Sequence, residues 1–168
     1  VRKRFLPPNG RCRHIGGSAL DLRWLDEVDV AHGVFVTAQG LLMYFEQADV
    51  QRLLTAMARR LPGVEIMFDT IPRWFSRKTL KGYRRTGYYQ APPMPWGIDR
   101  NEIEPTLRHW IPNVKSVKNA PYGYCRGMLG VLLPLFSKTP GLRGIMPNVV
   151  HVTTSAGTGA EASSPARS

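Results

Sequence analysis

Cysteine is nearly absent from this chain. Cys12 and Cys125 stand far apart and form no C-x-x-C pair, while His14, His32, His109 and His151 show no H-E-x-x-H spacing. A disulfide framework and a zinc site are both excluded as organising features, and no metal is expected. Negative charge is scarce as well. Twelve Asp and Glu face 23 Lys and Arg, a formal charge of +11, which attracts phosphates or anionic membranes or marks one basic part of something larger, without choosing among them. Long runs of like charge are missing too, since the basic residues are scattered through Arg2-Lys3-Arg4, Arg59-Arg60, Arg77-Lys78 and Arg84-Arg85. The longest apolar stretch, Met128 to Phe136, is too short to cross a bilayer, and the charged amino terminus carries no signal-peptide apolar region. These absences predict a cytoplasmic chain without a membrane span. No internal repeat is visible.

What is present is a real core. Hydrophobic residues make up 43% of the 168, enough for one compact domain over residues 1–154. From Ser155 onward Ala, Gly, Ser and Thr dominate, so 155–168 is expected to be a disordered tail. The chain opens on Val1, as though in the middle of a longer sequence.

Along the chain, Cys12 to Leu20 reads as a strand leading to Asp21, where a short amphipathic piece begins. Gly33 to Ala38 reads as a second strand. Val50, Leu53, Leu54, Met57 and Leu61 then recur at helical spacing, with Glu46 and Asp49 in the first turn, Arg59 and Arg60 in the last, and Pro62-Gly63 as the stop. Val64 to Asp69 is a third strand. Pro72 opens a helix through Leu80 that Gly82 closes, and Asp69 either caps that helix or faces a substrate.

Tyr88 to Trp96 reads as a proline-stiffened loop. Asp99 and Glu102 have capping-box spacing, with Pro105 restarting the helix. Val114 to Ala120 and Val149 to Thr154 are late strands, joined by a long connection that suits an antiparallel pair at one edge.

Strands alternating with helices predict an α/β fold with a mainly parallel sheet and an antiparallel carboxyl-terminal edge. Ligands in such folds bind beyond the carboxyl ends of the strands. Asp21, Gln39 and Asp69 all fall at expected strand ends, which places three polar side chains along one rim.

Three segments, "SALDLRWLDEV", "VTAQGLLMYF" and "IMFDTIPRWFSRKTL", together resemble the S-adenosylmethionine-dependent O-methyltransferases of the leucine carboxyl methyltransferase superfamily, especially bacterial members linked to polyketide-type substrates. The similarity runs from Val1 to about Thr154. It implies a class I, Rossmann-like three-layer sandwich, incomplete here. The family places a Gly-rich strand-turn-helix and an acidic ribose ligand before the point that matches Val1, so the chain resembles a carboxyl-terminal portion. The resemblance further implies S-adenosyl-L-methionine as cofactor, with Asp21 accepting a hydrogen bond from the adenine amino group and Leu22 packing on the ring. Gln39, next to Gly40, stands where the family carries a carboxylate and would face the methionine end.

Each residue also has a plainer use. Asp21 can cap the following helix, and Gln39 can be an amide satisfied by backbone. Tyr44, Trp74, Tyr89 and Trp96 can wall a pocket for a small-molecule acceptor, or serve as core. No catalytic residue is identified. The expected reaction is methyl transfer to a carboxylate or hydroxyl oxygen. The competing reading is a non-catalytic remnant or interaction module, self-associating through exposed sheet edges. Less favoured is a basic nucleic-acid-binding domain, in which Trp74, Tyr88 and Tyr89 among nearby Arg and Lys would stack on bases.

Overall fold

The computed structural model describes residues 9–10, 12–84, 86–121 and 147–156. The expected apolar connection Met128 to Phe136 and residues 157–168 lie outside them. Four strands build one sheet: β1 (Phe35–Ala38), β2 (Glu65–Thr70), β3 (Val114–Pro121) and β4 (Asn148–Thr154), in the order β1-β2-β4-β3. β1 and β2 are parallel, whereas β4 runs antiparallel to both β2 and β3. The late antiparallel edge is as the sequence predicts, within an α/β fold whose described sheet is mixed.

Three helices accompany the sheet: α1 (Gln47–Arg60), α2 (Arg73–Leu80) and α3 (Arg100–Trp110). α1 forms where the periodicity puts it, burying Val50, Leu53, Leu54 and Met57, with Arg59 and Arg60 in the last turn. Glu46 stands one residue ahead as N-cap, and its carboxylate makes no capping bond. Arg60 ties the helix end to the preceding turn, donating to the Leu22 carbonyl at 2.8 Å and pairing with Asp26.

In β2 the side chains alternate as a half-covered strand requires. Ile66, Phe68 and Thr70 are buried, and Glu65, Met67 and Asp69 point to the opposite, more open face. Val150 and Val152 of β4 join Ile66 and Phe68 in a core completed by α1 and by Ile103, Leu107 and Trp110 of α3. The open face carries Phe35, Met67 and His151, with His151 Nε2 2.7 Å from a Glu65 carboxylate oxygen.

Four sequence expectations are corrected. Cys12 to Leu20 is not a strand: beyond an isolated Asn9–Cys12 bridge it forms no ladder, and Ser18 turns it by accepting from the backbone N–H groups of Leu20 and Asp21. Asp69 does not cap α2. It still belongs to β2, paired with Val149, and the N–H of Arg73 is met instead by Asp99 Oδ1 at 3.0 Å. That same engagement prevents a capping box on α3, where Asp99 makes no side-chain cap and Glu102 pairs with Arg73 at 2.8 Å. Pro105 does not restart the helix either, because α3 runs through it. Its ring lies on the exposed side, where water can satisfy the carbonyl one turn back.

Candidate functional site

Past its ladder with β2, β1 is tied to the end of β2 by a further contact. Gly40, directly after β1, donates its N–H to Asp69 Oδ1 at 2.7 Å. Gly40 has φ +57°, a left-handed conformation, and an added Cβ would meet nothing within 4 Å. The glycine is therefore demanded by backbone conformation and not by crowding. Gln39 is exposed beside this turn. Asp69 thus serves the rim as a brace for the Gln39-Gly40 turn.

Asp21 belongs to a different kind of element. It is the N-cap of a 3-10 turn, Leu22–Glu27, accepting from the Arg23 N–H at 3.3 Å, so the capping use is realised. Arg23 also grips the carboxylate with its guanidinium, Nε to Oδ1 at 2.9 Å and Nη2 to Oδ2 at 2.5 Å. Leu22 is half-buried against the core. Behind Asp21 lies a cavity of about 830 Å³, bordered by Gly16, Gly17, Asp21, Arg23, Trp24 and Thr37. Trp24 is fixed there by Nε1–H donation to the Ala19 carbonyl at 3.0 Å. Thr37 of β1 brings the cavity against the strand that Gln39 follows. Sequence reasoning missed Gly16 and Gly17 because Cys12 to Leu20 reads as a strand instead of a cavity wall.

The Asp21 carboxyl is held down at about 2 against an ordinary 3.8. Hydrogen bonding from the Arg23 side chain is the chief cause, followed by the Arg23 backbone N–H and assisted by charge attraction, against a desolvation effect of opposite sign. Because the folded value is depressed, this contact favours the folded state above about 3.8 and is lost as pH falls toward about 2. Arg23→Gln should return the Asp21 titration, followed by carboxyl carbon NMR, toward 3.8; an unmoved midpoint would show that the guanidinium is not responsible.

The four aromatic residues do not share either cavity. Trp96 is only 2% exposed, with its ring centroid 6.2 Å from that of Phe68 in the core. It also borders a separate cavity of about 380 Å³ with Arg73, Ile98 and His109. Tyr44, Trp74 and Tyr89 are 41%, 45% and 53% exposed and line neither cavity. Trp74 stacks edgewise on Phe75, which meets Tyr83 in turn, and Lys78 covers the Tyr83 ring at 4.4 Å. Among the described residues, no group of three or more His, Cys, Asp or Glu is placed to hold a metal, and no helix is long and apolar enough to cross a membrane.

No protein-family profile matches the chain. Over 100 residues, however, it is 34% identical to the tetracenomycin polyketide synthesis O-methyltransferase TcmP of Streptomyces glaucescens, an alignment covering 58% of this chain and 36% of the relative. The chain is similar to an O-methyltransferase. It spans about a third of that relative's length. The resemblance read in the three sequence segments and this match agree at that level. Structural similarity extends at low identity to the small RNA methyltransferase HEN1, with 13% identity, TM-score 0.49, and 82% of this chain and 15% of that one covered. An O-methyltransferase family protein from Burkholderia thailandensis aligns with 16% identity and TM-score 0.45, over 88% and 37% of the two chains.

Proposed function

We propose that the chain is part of an S-adenosylmethionine-dependent O-methyltransferase acting on a small polyketide-type acceptor. The observation that carries this reading is the 34% identity over 100 residues to the tetracenomycin O-methyltransferase. The cavity behind Asp21 suits the cofactor: its volume of about 830 Å³ lies within the size of small-molecule sites, and glycines in its wall allow close approach. Arg23 is 89% exposed, so its side chain can swing away and leave Asp21 to accept a hydrogen bond from an adenine amino group. Gln39, held by the Gly40–Asp69 brace, binds the polar end of the cofactor without adding charge.

When bound, the cofactor supplies an electrophilic methyl group. The chain's own part is to position the accepting oxygen in line with it, since orientation alone removes much of such a barrier. An ionised carboxylate acceptor needs no base, whereas a hydroxyl does. Among the described residues of the rim none is assigned as a base, so the reading proposed here is an acidic oxygen acceptor, which needs none.

Isothermal calorimetry with S-adenosylmethionine tests the reading. Binding is expected, weakened roughly tenfold by Asp21→Asn through loss of a charge-assisted hydrogen bond. Absence of both heat and thermal shift at millimolar cofactor sinks it. A second reading, as an interaction module, is favoured by β1: it lies at a sheet edge, and Phe35 on it is 56% exposed. An open edge invites a further strand, including one from a second copy. Sedimentation velocity across a concentration series decides between a monomer and such an assembly.

A further inference from the structure

The positive charge of the chain is concentrated in one segment. Residues 70–98 hold Arg73, Arg77, Lys78, Lys81, Arg84 and Arg85 and neither Asp nor Glu, so more than half of the formal charge of +11 comes from them. Arg73 is paired with Glu102. Arg77, Lys78, Lys81 and Arg84 are exposed, and among the described residues no carboxylate forms an ion pair with them.

The fold sets large apolar side chains among these cations. On α2, Trp74 and Leu80 are 45% and 55% exposed. Past the helix the chain turns back on itself, with Arg84 bridged to Gln90 and the Ala91 N–H donating to the Tyr83 carbonyl at 2.8 Å. At the tip Thr86 Oγ1 accepts from the Tyr89 N–H at 3.0 Å, and the side chains of Tyr88 and Tyr89 project into solvent. Rings join this hairpin to the helix, since Phe75 meets Trp74 and Tyr83 edge-on at centroid distances of 5.5 and 5.6 Å. Single exposed apolar residues are ordinary, but a cluster of them bordered by cations without carboxylate partners marks an interaction surface.

The charge fits two anionic partners, a nucleic acid and a lipid surface. Base stacking uses open ring faces along a groove. Here Lys78 covers the Tyr83 ring, Phe75 is engaged edge-on twice, Leu80 has no use in stacking, and Trp74, Tyr88 and Tyr89 border none of the cavities at Asp21, at Trp96 or along α1. Protruding Trp, Tyr and Leu beside long cations suit the boundary of a bilayer instead, where amphipathic rings sit at headgroup level and Lys and Arg reach lipid phosphates.

We propose that α2 and the 83–91 hairpin form a docking surface for an anionic lipid bilayer, with Trp74, Tyr88 and Tyr89 entering the headgroup region and Arg77, Lys78, Lys81 and Arg84 meeting lipid phosphates. Such attachment is peripheral and needs no spanning helix. It is independent of the methyltransferase reading.

The test is flotation of the whole chain with vesicles of phosphatidylcholine alone and of phosphatidylcholine and phosphatidylglycerol in equal parts, with a mixed-sequence single-stranded oligonucleotide as competitor. Binding to the anionic vesicles at least about tenfold tighter than to the neutral ones, weakening as salt rises, is expected. Lys78→Gln with Lys81→Gln should weaken it at least about tenfold. Arg59→Gln with Lys115→Gln removes the same charge at the opposite end of the sheet and should have a much smaller effect. Tyr88→Ser with Tyr89→Ser should weaken binding a fewfold and leave its salt dependence as it was, a split that charge attraction alone does not give. No flotation, equal affinity for the two vesicles, equal losses from the two charge pairs, or a tyrosine variant that floats like the wild type overturns the proposal. So does an oligonucleotide that strips the chain from the vesicles, which assigns the surface to nucleic acid. The comparison of the two vesicles with the wild type decides even if a variant fails to fold.

Discussion

Trp96→Ala is expected to lower the unfolding free energy by about 3–5 kcal/mol, because truncating a large buried ring removes both transfer energy and packing. Trp96 is 2% exposed, packs on Phe68 and donates its backbone N–H to the Met43 carbonyl at 3.3 Å. It therefore joins the segment after α2 to both the sheet and the turn that follows Gly40. For a chain of this size the loss corresponds to a fall in melting temperature of roughly 6–20 °C by calorimetry. A fall of under about 3 °C would mean the ring contributes far less than a buried tryptophan normally does. Since Trp96 also borders the smaller cavity, Trp96→Phe separates its two uses: a ring-sized filler recovers much of the stability, whatever it does to a ligand.

Gly97→Ala is expected to destabilise by about 1–3 kcal/mol, for the opposite reason of overpacking. A Cβ at Gly97 would lie 2.8 Å from Ser76 Cβ, 3.1 Å from the Pro72 carbonyl oxygen and 3.2 Å from Arg73 Cα. Two of these three atoms are backbone and cannot swing aside. The contact is held from both sides, since Ser76 donates to the Met94 carbonyl at 2.7 Å and Ile98 N–H donates to the Ile71 carbonyl at 2.9 Å. Ser76→Gly on the Gly97→Ala background should recover part of the loss by relieving the shortest contact. Urea unfolding of the single and double variants measures this, and strict additivity of the two changes would show that the clash is not where the geometry puts it.

The elements that could be read from the chain are those with a local period. α1 was legible because Val50, Leu53, Leu54 and Met57 fall on one helical face, and β2 because a short apolar run, Ile66-Met67-Phe68, is bounded by Glu65 and Asp69. Gly40 was legible as a turn, although its partner was not: Asp69 lies 29 residues away, and nothing in the spacing distinguishes a brace from a helix cap. The Asp99 carboxylate shows the same difficulty. Local spacing offers it to Glu102 and α3, yet it serves the N–H of Arg73, 26 residues earlier, because folding brings that donor within 3.0 Å. Cys12 to Leu20 failed for a related cause. A strand exists only where another backbone completes its ladder, and apolar alternation cannot supply one.

The Asp21-Leu22-Arg23 motif falls at the start of the 3-10 turn, and its third residue carried information the spacing alone did not reveal, the grip of Arg23 on the Asp21 carboxylate. The scattered rings Tyr44, Trp74, Tyr89 and Trp96 carried no comparable signal, since aromatic residues are used for core and surface alike.

By itself, then, the amino-acid order determined the α/β alternation, the main helix, the late antiparallel pair and the likeness to O-methyltransferases, all consequences of short-range periods and motifs. Only the tertiary structure decided which carboxylate meets which backbone N–H and which face of the sheet is covered. Those outcomes depend on contacts between residues tens of positions apart, where hydrogen-bond partners are chosen by proximity in space.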